Sequence, residues 1–161
     1  NKPRMKKWFY SDVIYQEKKQ LLANRDFTRN VSRLHNLRGI PIGVVKGFKY
    51  GEVIEDYRHK LSLTEHVSNY ANLKSLLAKQ QQLIIIDPMV AVYLSSHFFS
   101  PVQKQQLKFI ETAHFTEIPY YLVCSKRYGN CLNYIKKFNK GLNMLRQDGT
   151  LTALFNQGER L

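Results

Sequence analysis

Acidic residues are scarce in this 161-residue chain: 12 Asp and Glu stand against 25 Lys and Arg, a formal charge of +13 at pH 7. That balance favours polyanions, acidic ligands or anionic surfaces as neighbours. Long apolar runs are also missing, so no segment reaches the ~20 residues a membrane-spanning helix needs. The basic start, NKPRMKKWFY, has no apolar stretch behind it and does not read as a secretion signal. Only two cysteines occur, Cys124 and Cys131, in CSKRYGNC. Their spacing fits neither a C-x-x-C redox pair nor a zinc site. They form either a local disulfide in an oxidising compartment or a reduced strand–helix pair. The five histidines, at 35, 59, 66, 97 and 114, never fall four apart, and HExxH, GxSxG and P-loop patterns are all absent. The composition therefore points away from an enzyme and calls for no metal or cofactor. With 43% apolar residues, a packed core is expected.

What is present reads as alternating strands and helices. Val13–Ala23 is extended, Ile42–Val45 is a β-branched strand, Glu52–Lys60 a helix and Leu61–Val67 a strand. Asn69–Gln80 is a helix capped by Ser68 or Asn69. In LIIIDP, residues 83–88, four unbroken apolar positions suggest a strand covered on both faces. The Asp87–Pro88 pair then starts a helix, with aspartate as cap and proline in the first turn. Gln103–Glu111 reads as loop plus short strand and Tyr120–Cys124 as a strand. A long amphipathic helix from Leu132 closes at Asp148–Gly149, and a last short helix begins at Thr150. This alternation predicts an α/β architecture with a largely parallel sheet.

In such sheets ligands gather at the carboxyl ends of strands. Two features fall there. One is the glycine-bracketed turn in IPIGVVKGFKYGE, residues 40–52, with a helix starting behind it and backbone N–H groups at Phe48, Lys49 and Tyr50. The other is Asp87. Read locally, Asp87 is a helix cap and Lys49 a solvated loop lysine.

Four pieces in order, PRMKKWFYSD (3–12), IGVVKGFKYG (42–51), IIIDP (84–88) and FNKGLNMLRQDGT (138–150), resemble the family 3 extracellular solute-binding proteins, the periplasmic amino-acid-binding components of ABC transporters, also used as receptor sensor modules. The resemblance implies a type II periplasmic binding protein-like fold with a complete second lobe and an incomplete first one, in a chain truncated at its N-terminus. Residues 1–23 would be a remnant of lobe 1 and the first crossing strand, 24–117 lobe 2, and 118–161 the second crossing strand and helices returning to lobe 1. It implies that Arg4 holds a ligand α-carboxylate by a forked ion pair and that Asp87 receives the ligand ammonium. The turn Phe48–Lys49–Tyr50 stands where many members carry small hydroxyl residues; this departure leaves room for an acidic ligand. Ser11 and Asp12 read as structural. The implied partners are a small polar ligand and a membrane permease, in the periplasm or extracellular space, with no nucleic acid; exposed edges of the incomplete lobe would favour a dimer. The alternatives are a receptor's sensing module and, from charge alone, a basic nucleic-acid-binding protein.

Overall fold

A computed structural model describes residues 6–112, 114, 115 and 117–156. The chain divides into two compact units, one of residues up to 17 together with 118–157, the other spanning 18–117.

The second unit is built on five strands: β3 (Gln20–Asn24), β4 (Pro41–Val45), β5 (Ser62–His66), β6 (Leu83–Ile86) and β7 (Leu107–Ile110), in the order β5-β4-β6-β3-β7. β4 runs parallel to both β5 and β6, while β3 pairs antiparallel with β6 and β7. Four strands therefore share a direction and β3 opposes them. An apolar run fixes burial but carries no mark of strand direction, so this reversal is visible only in the pairing. Burial explains the unbroken LIII of β6. Leu83 and Ile85 join Leu21, Ile42, Val44 and Ile54 on one face, whereas Ile84 and Ile86 join Leu22, Leu73 and Leu76 on the other. Helices α1 (Glu52–Tyr57), α2 (Asn69–Leu77), α3 (Pro88–Phe98) and α4 (Pro101–Gln105) complete the unit. The helix expected over 52–60 turns to 3₁₀ geometry at Arg58–Lys60. The loop expected to start at Gln103 is instead occupied at its beginning by α4, which runs to Gln105. There Ser100 accepts from the Gln103 N–H at 3.3 Å and the Gln103 side chain accepts from the Ser100 N–H at 2.9 Å, a reciprocal cap that fixes a single helical turn.

The first unit holds two antiparallel pairs, β1 (Trp8–Tyr10) with β9 (Val123–Ser125) and β2 (Tyr15–Glu17) with β8 (Ile118–Tyr120). The strand expected over 120–124 is therefore two short ones, because the chain changes partner between Tyr120 and Val123. Likewise the extended stretch 13–23 is split between β2 and β3. Cys124 and Cys131 form a disulfide with Cα atoms 5.6 Å apart, at the entry to the long helix α5 (Cys131–Gln147). Gly149, at φ +79°, and Asp148, whose carboxylate accepts from the Thr150 N–H at 2.9 Å, turn the chain into α6 (Thr150–Asn156). Ser11 is buried and ties β1 to the loop before β9: its N–H donates to Leu122 O and its hydroxyl accepts from the Leu122 N–H, both at 2.9 Å. Among the described residues no helix is long and apolar enough to cross a membrane.

Candidate functional site

Parallel register brings the candidate residues of the second unit to one edge of its sheet. Ile42 lies opposite Leu83 and Gly43 opposite Ile84, so β4 and β6 end at the same level. The turn after Val45 and the carboxylate of Asp87 thus emerge side by side at the carboxyl edge. Because β3 runs the other way, its amino end meets the same edge. Gln20 pairs there with Ile86, and Lys19 precedes Gln20.

The turn is a built structure rather than an open loop. Gly47 (φ +78°) and Gly51 (φ +92°) supply the left-handed backbone at its two ends, where a side chain would be strained. The Lys46 N–H donates to His66 O at 2.9 Å and the Phe48 N–H to Val45 O at 3.2 Å. Tyr50 is buried, 2% exposed, in the core beside Ile54, and its phenol oxygen accepts the Val45 N–H at 2.7 Å. Burial pushes the Tyr50 phenol above its usual range. Glu55 organises the remainder. One carboxylate oxygen accepts the Tyr50 N–H at 3.0 Å, and the other lies 3.4 Å from Lys49 Nζ. Arg58 Nη1 stands 3.7 Å from the same carboxylate. Glu55 thus sets a carboxylate of the protein's own against the turn. Of the three N–H groups at 48–50, those of Phe48 and Tyr50 are used within the turn, which leaves Lys49 as the backbone position the turn itself does not use among the described residues. The Phe48 ring and the Lys49 side chain, 46% and 82% exposed, project outward.

Asp87 caps α3: Oδ1 accepts from the Met89 N–H at 2.7 Å and the Val90 N–H at 3.3 Å. The carboxylate is half-buried and fixed in direction by these two bonds. Phe48, Lys49, Tyr50 and Asp87 thus lie along one edge, with Tyr50 serving the core rather than the open side. Arg4 lies outside the described residues.

Sequence reasoning missed Lys19. It is 9% exposed, and its Nζ sits 5.9 Å from the centre of the Tyr50 ring. In the sequence it reads merely as half of the basic pair Lys18–Lys19, just before β3, whose buried residues are Leu21, Leu22, Ala23 and Asn24. A second polar cluster joins β5 to α2. His66 Nε2 lies 3.2 Å from Ser75 Oγ and 3.0 Å from Gln81 Nε2. Ser75 Oγ also lies 2.7 Å from Asn72 O, an acceptor for its hydroxyl proton. Among the described residues no three His, Cys, Asp or Glu side chains gather as a metal site would require.

No family model matches the chain, and no curated protein matches it. Solved structures do. The second substrate-binding domain of an amino acid ABC transporter from Streptococcus pneumoniae matches with TM-score 0.72 and 20% identity, over 99% of this chain and 69% of that one. An ancestral cationic amino acid solute-binding protein gives TM-score 0.76 and 18% identity, over 99% and 66%. The GluR0 ligand-binding core in complex with L-glutamate gives 0.73 and 14%, over 96% and 65%. The chain spans about two thirds of the length of the structures it matches. Over that span it has the α/β fold of the periplasmic binding protein domains that serve amino acid ABC transporters.

Proposed function

We propose that this chain is the greater part of a solute-binding protein that captures a small polar ligand, an amino acid or a close analogue, for uptake through a membrane ABC permease. On this reading residues 24–117 are the second lobe, residues 1–23 a remnant of the first lobe with the first crossing strand, and residues 118–161 the second crossing strand and the helices returning to the first lobe. The carrying observation is the edge on which the Phe48–Lys49 turn and the fixed Asp87 carboxylate stand side by side, in a fold whose solved examples include amino-acid-binding domains. Asp87 would accept an ammonium, and Lys49 with its backbone N–H would face a carboxylate. The Cys124–Cys131 disulfide supports a place outside the cytosol.

A second reading is favoured by one specific likeness. The glutamate-bound GluR0 core belongs to the same set of matches, which suits the sensing module of a receptor. A membrane span followed by a signalling domain in the full-length gene would select the sensor over the transport component.

A thermal-shift screen of the full-length protein against the twenty amino acids and small anions tests the binding reading. A ligand that binds only the folded state raises Tm by mass action. A dose-dependent rise with at least one of these compounds is expected; none with any of them refutes it.

A further inference from the structure

The first unit carries a feature that solute binding does not use. The Cys124–Cys131 disulfide closes a short loop, SKRYGN, in which every residue from Lys126 to Asn130 is exposed. Backbone hydrogen bonds hold its shape. The Lys126 N–H donates to Lys7 O at 3.0 Å, the Tyr128 N–H to Ser125 O at 3.1 Å and the Cys131 N–H to Tyr128 O at 3.1 Å. Together with residues 6–8 the loop lines an open cleft of about 720 Å³. Lys6, Lys7, Lys126 and Arg127 meet there with the rings of Trp8 and Tyr128, all within the one unit. We propose that this cleft docks the protein on the surface of an anionic phospholipid membrane. The proposal stands apart from the candidate ligand site and does not depend on it.

Charge is the first ground. Four cations line the cleft and no acidic side chain does; Asp12, Glu17 and Asp148, the acids among the unit's described residues, are not part of the lining. The negative surface potential of an anionic bilayer attracts cations held within about a Debye length of it. The aromatic rings are the second ground. Trp8 is 39% exposed and Tyr128 72% exposed, so neither is committed to the core. Trp and Tyr favour the headgroup level of a membrane, where the ring meets apolar surroundings and its polar tip stays wet. Leu122 and Val123, also exposed, lead into the same loop and add apolar surface. Shape is the third ground. The cations are exposed on both sides of an open cleft, with Lys126 Nζ 5.2 Å from the centre of the Phe9 ring. Nothing encloses a single small anion, and the arrangement suits many headgroups displayed at once. A nucleic-acid backbone would match the charges but would give Leu122 and Val123 nothing apolar to meet.

Vesicle flotation and tryptophan emission of the full-length protein test this, with phosphatidylcholine vesicles that contain or lack phosphatidylglycerol. Trp8 is the one tryptophan of this chain. Binding is expected only where phosphatidylglycerol is present, with a blue-shifted emission component that Trp8→Phe removes. It should fall away toward about 1 M salt, where the Debye length is ~3 Å. Each Lys or Arg close to such a surface is worth about fivefold in partitioning. Lys6→Gln, Lys7→Gln and Arg127→Gln combined should therefore weaken binding at least about tenfold. Lys136→Gln, Lys137→Gln and Lys140→Gln combined remove the same charge from exposed positions of α5 outside the cleft lining, and should weaken it far less. Denaturation midpoints confirm that both variants are folded. Equal losses in the two variants would show net charge acting at long range and overturn the assignment to the cleft. So would equal binding to vesicles without phosphatidylglycerol, or no binding to any vesicle. Salt-sensitive binding to a DNA duplex with none to vesicles would make the partner a nucleic acid and overturn it as well. Each of these outcomes leaves the solute-binding reading untouched.

Discussion

Tyr50→Phe removes one oxygen from a packed position and leaves the ring in place. The lost oxygen accepts the Val45 N–H at 2.7 Å, and Val45 is 3% exposed, so the N–H is left buried without its partner. Orphaning a buried backbone donor costs about 1–3 kcal/mol, whereas the isosteric ring keeps its packing, so a loss near 2 kcal/mol is expected. For a chain of this length that corresponds to a fall in Tm of roughly 4–8 °C. The pH dependence provides an independent check. Burial raises the folded-state pKa of the phenol above the unfolded value near 10. The protonated form is thus favoured by folding, and its contribution is fully present below about pH 10 and declines as pH rises through the folded pKa. The stability gap between wild type and Tyr50→Phe should be constant from neutral pH to about 9 and narrow above 10. Urea denaturation across that range, followed by far-UV dichroism, measures it. A variant as stable as wild type, with a gap flat through pH 11, would refute the view that this phenol pins the end of β4.

Two further perturbations follow from packing and from the disulfide. A Cβ on Gly43 would stand 2.0 Å from Asn72 Oδ1 and 3.1 Å from Gln81 Cγ, with Asn72 fully buried, so Gly43→Ala should cost about 1–3 kcal/mol by overpacking. Asn72→Ala in the same chain should recover at least ~1 kcal/mol of that in a double-mutant cycle; additive losses would contradict the contact. Cys124→Ala with Cys131→Ala opens a loop with a sequence separation of 7 and should lower stability by about 2–3 kcal/mol on the chain-entropy account. Intact protein should show no thiol to Ellman's reagent until reduced, and two reactive thiols before reduction would contradict the pairing.

The sequence made legible what is decided locally. Asp87–Pro88 names a helix start because cap and proline act within one turn, and the four apolar residues of β6 announce burial on both faces. The glycines at 47 and 51 mark a turn because only their backbones adopt its φ values comfortably. What depended on distant partners was hidden. β8 and β9 look like one strand until their partners, β2 and β1, are known to differ. Tyr50 looks like a loop aromatic, and its burial becomes visible only when β4 and Ile54 close around it. Glu55 looks like a helix-face carboxylate, yet it binds back to the turn five residues earlier. Lys19 looks like half of a basic pair, and its burial near the Tyr50 ring becomes visible only in the fold. The reciprocal cap at Ser100 and Gln103 was a local signal, and it distinguishes α4 from the loop expected there.

The central claim is that Asp87 and the neighbouring turn bind a small polar ligand. Calorimetric titration of the full-length protein with the compound that gives the largest thermal shift tests it most directly, comparing wild type with Asp87→Asn. Asparagine keeps an oxygen to accept the Met89 N–H, so the helix cap survives while the charge is lost. Saturable binding that weakens at least about tenfold in Asp87→Asn, with the denaturation midpoint nearly unchanged, is the predicted result. Binding of equal strength in both proteins would remove Asp87 from the site and contradict the account.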